Sequence, residues 1–378
     1  MAADRREIDE KSARVERLLG EAGLAGVILG AQHNFAWITG GATNRVDGSR
    51  EAGAGALLLG RGGRRWVLAN AIEMPRLLGE EIGGQGWEPV EHPWEDERSS
   101  PSFLAETARK VLGGSDPIGS DLPLAGATAV EGRIVRARAR LTDAELARFR
   151  ALGRDAGEAL GEVCRGLEPG LSEDDIARRS ADALAARGAR AIVNLVAADE
   201  RIARFRHPVP TGRRWERAVM VVACAQREGL VASLTRIVCA GAVPGDLRDR
   251  TRAAAGVMGR LLEASRPGAT GRQLYDEAAR GYEAAGFPGE QRKHHQGGAC
   301  GYRTRDWIAH PRSDDVVVAP QAFAWNPSIT GTKVEETAIA FGDGDRVELI
   351  TTTAGWPPIM VDVRGVRLAL PDVWSKES

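Results

Sequence analysis

The sequence predicts a mixed α/β (α+β) protein in two domains: a smaller α/β domain at the N-terminus, over about residues 1–135, and a larger one over 140–378. Three observations carry this prediction. A chain of 378 residues is long enough to bury two separate cores. Up to about residue 125, short apolar runs alternate with helix-periodic segments, the pattern of a domain with its own sheet. Beyond residue 140, a unit that starts with Pro-Gly and continues as a helix occurs twice, which predicts two pseudo-symmetric αβ halves.

In chain order, residues 8–22 have helical periodicity and stop at Gly23. AGVILG reads as a buried strand, and GAGALLLG and RRWVLAN as a hairpin around GRGG. PRLLGEEI reads as a helix, and HPWEDERSSPS, rich in charge and proline, as a surface loop. A long amphipathic helix follows Thr142 or Asp143 and is stopped by Pro169-Gly170. In the first unit Gly170 is followed six residues later by Ile176, and the helix closes at Gly188. In the second, Gly268 is followed six residues later by Leu274, and the helix closes at Gly286. Strand-like segments follow each unit: RAVMVVACA and GLVASLTRIVCAG after the first; DDVVVAPQAFAWNPSI, KVEETAIAFG and DRVELITTT after the second.

Composition excludes several classes of function. With 51 basic against 52 acidic residues, neither a nucleic-acid footprint nor a membrane-surface patch is implied. Cys164, Cys224, Cys239 and Cys300 lack CxxC spacing and are expected as buried free thiols. No N-terminal apolar run and no stretch of 18 uncharged apolar residues occurs, so a soluble, cytoplasmic protein is expected.

No GxSxG, HExxH or phosphate-binding loop is present. His295 lies in HHQGG, where glycines let a ligand approach the backbone; the plainer reading is a loop histidine capping a helix. His207, in RFRHPVPTG, taken alone reads as a solvated or structural loop residue. Glu335 and Glu336 alternate across a strand, so only one can face a given side. Arg303 and Arg305 could hold a carboxylate or pair with Asp306.

Taken together, these segments resemble the pita-bread family of methionine aminopeptidases, Xaa-Pro aminopeptidases, prolidases and creatinase. NFAWITGG resembles the N-x-x-Y-x-[ST]-G stretch of the smaller domain of aminopeptidase P and creatinase. The resemblance implies a C-terminal pita-bread domain, a homodimer, and an N-terminal domain that contributes to the partner's site. In the family's metallopeptidases two Asp, one His and two Glu hold two metals. The segment VACAQREGLVASLTR matches D-x-G-A-x-x-x-G-x-x-x-D-x-T-R, so Val222 and Ser233 stand at the two Asp positions. HQGG puts His295 at the histidine position, Asn326 of NP takes the place of one Glu, and Glu335 of KVEET matches the last.

With only two of the five ligands retained, no metal and no other cofactor is expected. Creatinase is the family's precedent for hydrolysis of a C–N bond without metal. By that resemblance His207 of RHPV is the acid/base residue, with Glu335 and His295 beside it. The implied substrate-binding set is Arg305, Tyr302, Glu336, Asn326, Ser233 and Thr235, with Arg45 or Arg50 of the N-terminal domain. Thr235 stands where creatinase has a Glu, which argues against creatine itself. The expected function is therefore metal-independent hydrolysis, or elimination, at a C–N bond of a small amide-, amidine- or amino-acid-like substrate, with no nucleic-acid or membrane partner. The alternatives are an Xaa-Pro peptidase with an unusual metal site and a non-catalytic binding protein.

Overall fold

The computed structural model describes residues 5–342 and 346–376, in two compact units, Met1–Ala144 and Glu145–Ser378. The N-terminal unit runs α1 (Arg5–Ala22), β1 (Gly26–Ala31), α2 (Gln32–Ile38), β2 (Ala52–Gly60), β3 (Arg65–Asn70), α3 (Met74–Arg76), β4 (Glu88–His92), α4 (Trp94–Ser99), α5 (Phe103–Leu112), β5 (Ile118–Ser120), β6 (Thr128–Ala129) and α6 (Glu131–Arg138). Its mixed sheet has the order β4-β3-β2-β1-β5-β6, with the expected antiparallel β2–β3 hairpin. α1 ends at Gly23, whose φ of 65° suits glycine. Asn34, which opens NFAWITGG, is fully buried and donates to Asp121 and Glu131.

Two local expectations are corrected. HPWEDERSSPS is not all loop: it holds α4, because Pro93 presets the entry and Glu95, Asp96 and Glu97 complement the positive end of the helix. PRLLGEEI is only partly α-helical, since α3 gives way to a wider π turn at Leu77–Glu81.

The C-terminal unit shows the doubling read from the sequence. Its first half is α7 (Asp143–Arg165), α8 (Glu173–Ala185), β7 (Arg190–Ala198), α9 (Arg201–Arg204), β8 (Ala218–Arg227) and β9 (Leu230–Ala240). The second is α10 (Gly245–Ala264), α11 (Gly271–Ala284), β10 (Gly297–Cys300), β11 (Gln321–Trp325), β12 (Ser328–Ile329), β13 (Thr332–Lys333), β14 (Glu336–Ala340) and β15 (Val347–Leu349), followed by β16 (Pro358–Val363), β17 (Val366–Pro371) and β18 (Trp374–Lys376). Both Pro-Gly glycines have positive φ, 95° at Gly170 and 89° at Gly268. Two residues later Ser172 and Thr270 cap α8 and α11 in capping boxes with Asp175 and Gln273. Both caps also form a lone bridge, to Arg214 and Val316 respectively. That second bridge corrects DDVVVAPQAFAW: Val316 pairs with the cap, and the strand starts only at Gln321.

The sheets β18-β9-β8-β7 and β10-β11-β14-β15 meet where β9 approaches β14. Ser233 N donates to Thr337 Oγ1 at 2.8 Å, Thr337 Oγ1 donates to Ser233 O at 3.0 Å, and Thr235 N donates to Glu335 O at 3.1 Å. Apolar cores flank the junction: Met258, Leu261, Phe323 and Trp325 in the second half, Met220, Val222 and Ile237 in the first. All four cysteines are buried and unpaired, as expected.

α7 can lie against residues 350–353 because Gly153, Gly157 and Gly161 recur every fourth residue. A Cβ at Gly157 would stand 2.2 Å from Thr352 O. Gly157→Val should therefore lower stability by about 1–3 kcal/mol or more through overpacking, whereas Gly256→Ala on the open side of α10 should raise it by about 0.4–1 kcal/mol. Chemical denaturation of the two variants checks this contrast.

Candidate functional site

Four loops and strand ends of the C-terminal unit converge at the β9–β14 junction. His207 is in the loop between α9 and β8, and His294 and His295 lie just before β10. Arg305 follows β10, while Lys333 and Glu335 flank the step from β13 into β14. Glu290 ties these loops together: it pairs with Arg206 at 2.7 Å and receives both Thr330 N (3.1 Å) and Thr330 Oγ1. The residue before His207 is thus clamped to the turn that leads into His294. Glycine is required here, since a Cβ at Gly298 would lie 2.0 Å from Trp307 O.

Glu335 is the charged centre of the site. Its carboxylate is 3 % exposed and receives Thr235 Oγ1 at 2.8 Å, Arg305 Nη2 at 3.2 Å and Lys333 Nζ at 2.9 Å. Burial alone would raise its pKa, but Lys333 and then Arg305 hold it down at about 2. Arg305 also donates to Ser233 Oγ at 3.3 Å, so one guanidinium spans Glu335 and Ser233.

The three histidines form a cluster beside this pair. His207 Nε2 and His294 Nε2 are 3.1 Å apart, and His294 Nδ1 is 3.2 Å from Ser328 Oγ. His295 packs its ring 4.5 Å from that of His294 and 5.7 Å from that of His207. Burial lowers all three: His294 to about 2, His295 to about 4, and His207 to a lesser degree. After burial, Lys333 is the largest opponent of charge on His207 and His294, and Arg305 on His295. The cluster is therefore neutral at pH 7, with lone pairs available. Three buried polar atoms in this region have no partner among the described residues: His295 Nδ1, Asn326 Oδ1 and Arg305 Nε.

Sequence reasoning missed His294 and Lys333. The doubled HH of HHQGG carries the signal for His294, but the resemblance points to its second member. Other expected residues fall into place differently. Arg305 reaches Glu335 instead of being set aside for an external carboxylate. Glu336 points away from the histidines into a buried pair with Arg236 at 2.7 Å, and Thr351 also bonds to it. Burial raises Glu336 to about 7 against the pull of Arg236. Tyr302 donates to Glu145 at 2.8 Å and is also approached by Arg148. Arg45 and Arg50 belong to the N-terminal unit, half-buried and exposed respectively.

Set against the five ligand positions that the resemblance implies, the donor set does not fit a two-metal centre. Val222 is part of an apolar core. Ser233 donates to Cys224 Sγ and receives Arg305. Asn326 is neutral, and Glu335 is already neutralised by two cations. Divalent ions held by oxygen ligands need carboxylates in excess of local positive charge; here two cations face one carboxylate.

The sequence model of "Metallopeptidase family M24" matches residues 147–365, more than half of the chain. The chain belongs to metallopeptidase family M24. This M24 protein is thus a member of a family of hydrolases, and its two-halved C-terminal unit is the family's pita-bread fold. Solved structures that resemble it include a dipeptidase PepE from Mycobacterium ulcerans, with a TM-score of 0.78, 18% identity and 99% of each chain covered. An Xaa-Pro dipeptidase from Bacillus anthracis aligns with a TM-score of 0.73 and 20% identity, over 92% of this chain and 98% of that one. The N-terminal domain of the FACT complex subunit SPT16 from Cicer arietinum aligns with a TM-score of 0.69 and 10% identity, over 93% and 97%. None of the curated protein sequences compared matches the M24 chain. No helix among the described residues is long and apolar enough to cross a membrane.

The depressed histidines set a pH dependence. Unfolded, His295 takes up its proton near pH 6.5; folded, only near about 4. Its contribution is complete above the unfolded value and is lost as pH falls through that window. The opposing effect of Glu336, between 4.5 and about 7, is common to wild type and variant. Urea denaturation at pH 7.5, 6 and 5 should show His295→Gln losing less stability on acidification than wild type; a parallel profile would contradict the assignment.

Proposed function

We propose that this M24 protein hydrolyses a C–N bond of a small amide-, amidine- or amino-acid-like molecule without the two-metal centre of the family's peptidases. The observation that carries this reading is the state of Glu335. The one surviving carboxylate at the ligand positions is held by Lys333, Arg305 and Thr235. A guanidinium thus occupies the electrostatic role that a metal cation would take between the strands.

In this mechanism His207 is the acid/base residue. It is the exposed member of the cluster, neutral at pH 7, and its Nε2 is fixed by His294, which Ser328 orients in turn. Nδ1 is then the atom that takes a proton from attacking water and returns it to the leaving nitrogen. Lys333 and Arg305 set a positive field that stabilises negative charge developing on the carbonyl or amidine centre. Asn326 Oδ1, Arg305 Nε and His295 Nδ1, buried and without partners among the described residues, keep the surroundings of the cluster polar. A substrate carrying one carboxylate matches the local excess of one positive charge.

A second reading has its own observation. One ring nitrogen from each of His207, His294 and His295 lies within 4.8 Å of the others, an arrangement that could hold a single ion in an Xaa-Pro peptidase-like enzyme. Neutral imidazoles are competent ligands, but Lys333 and Arg305 oppose a cation there.

Metal analysis of the purified protein, combined with turnover of amide, guanidino and dipeptide substrates, separates the two. The metal-free reading expects turnover that survives chelator and falls by about 100-fold or more in His207→Ala. Stoichiometric metal with activity abolished by chelator would favour the three-histidine ion instead. A Glu290→Gln variant tests the clamp: it should lower turnover with little change in the fold, and unchanged kinetics would remove Glu290 from the positioning of the histidines.

A further inference from the structure

The N-terminal unit carries a groove between α1 and α6, far richer in positive charge than the chain as a whole. Its walls are two helical stripes of identical spacing. Arg14, Arg17 and Glu21 stand at i, i+3 and i+7 on α1; Arg133, Arg136 and Arg140 repeat that spacing along α6 and just past its end. Five arginines and one glutamate thus line a volume of about 360 Å³, in a chain whose formal net charge is −1.

Arg14 is already committed. It donates to Glu10 and to the backbone oxygens of Ala137 and Arg140, so it caps the C-terminal end of α6 and holds the two helices together. Arg17, Arg133, Arg136 and Arg140 are exposed and form no side-chain hydrogen bond or ion pair among the described residues. Elsewhere in this unit Arg65, Arg76 and Arg138 all meet carboxylates. Four uncompensated guanidinium groups around one hollow repel one another, and a bound anion removes that repulsion.

We infer that this groove binds a small oligophosphate anion, such as the diphosphate or triphosphate moiety of a metabolite. Arginine forks match phosphate oxygens in bidentate geometry, and four of them suit two or three adjacent phosphates better than one carboxylate. The volume lies at the low end of the range for small-molecule sites, roughly 300–1,000 Å³. A long polyanion fits less well, because Glu10 and Glu21 border the groove and the chain as a whole is slightly acidic.

Calorimetric titration of the full chain with inorganic triphosphate tests this. Saturable binding of one triphosphate per chain is expected, weakening with added salt and at least tenfold weaker in Arg133→Ser/Arg136→Ser. Arg17→Ser, on the opposite wall, should weaken binding independently, and unchanged thermal unfolding of each variant would show that the loss is local. Absence of saturable binding overturns the inference, as does equal affinity in wild type and both variants. Tighter binding of a single-stranded oligonucleotide or a polyglutamate peptide than of triphosphate, at the same ionic strength, also overturns it.

Discussion

The C-terminal unit depends on one buried arrangement of charge: the Glu335 carboxylate against Lys333 and Arg305, with Thr235 completing its hydrogen bonds. An ionised carboxylate this deeply buried is tolerated only when it is paired and hydrogen-bonded. Each of its partners comes from a different place. Lys333 sits on the β13 strand just ahead of it, Arg305 on the loop after β10, and Thr235 on β9 of the other half. The same residue therefore joins the two halves mechanically and sets the electrostatics of the histidine cluster. The positive balance around Glu335 adds to burial in keeping all three imidazoles neutral.

The same arrangement keeps the one carboxylate at the ligand positions that the resemblance implies both paired and hydrogen-bonded. Removing anions from ligand positions leaves any remaining carboxylate buried beside unbalanced surroundings. Here Arg305 bridges Glu335 and Ser233, and Val222 joins the apolar core of its own sheet. Val222 and Ser233 thus have contacts of their own, whereas Asn326 Oδ1 stays without a partner among the described residues.

Much of the architecture was legible because it rests on local rules. The Pro-Gly repeat announced itself through spacing, and the structure supplies its physical basis: a positive-φ glycine, then a capping box two residues later, in both halves. α4 was hidden because its charges and prolines read as loop, although acids after Pro93 are also a helix start. In the site, His207, His295 and Glu335 could be found one at a time. Lys333 could not, since a lysine on a short strand ordinarily marks a solvated face and only the tertiary fold buries it at 6 % exposure. The pairing of Arg305 failed for a related reason: sequence distance favours Asp306 next door, whereas the fold carries the guanidinium to a carboxylate 30 residues away.

The adjacent carboxylates at the entrance to β14 divide two duties by alternation alone. Glu335 turns toward the histidines, and Glu336 turns into the buried pair with Arg236. A single residue inserted between Lys333 and Glu335 would turn the two carboxylates to the opposite faces, setting Glu335 toward Arg236 and Glu336 toward Lys333. A change of length at this step, unless a bulge absorbs it, therefore costs both buried pairs at once.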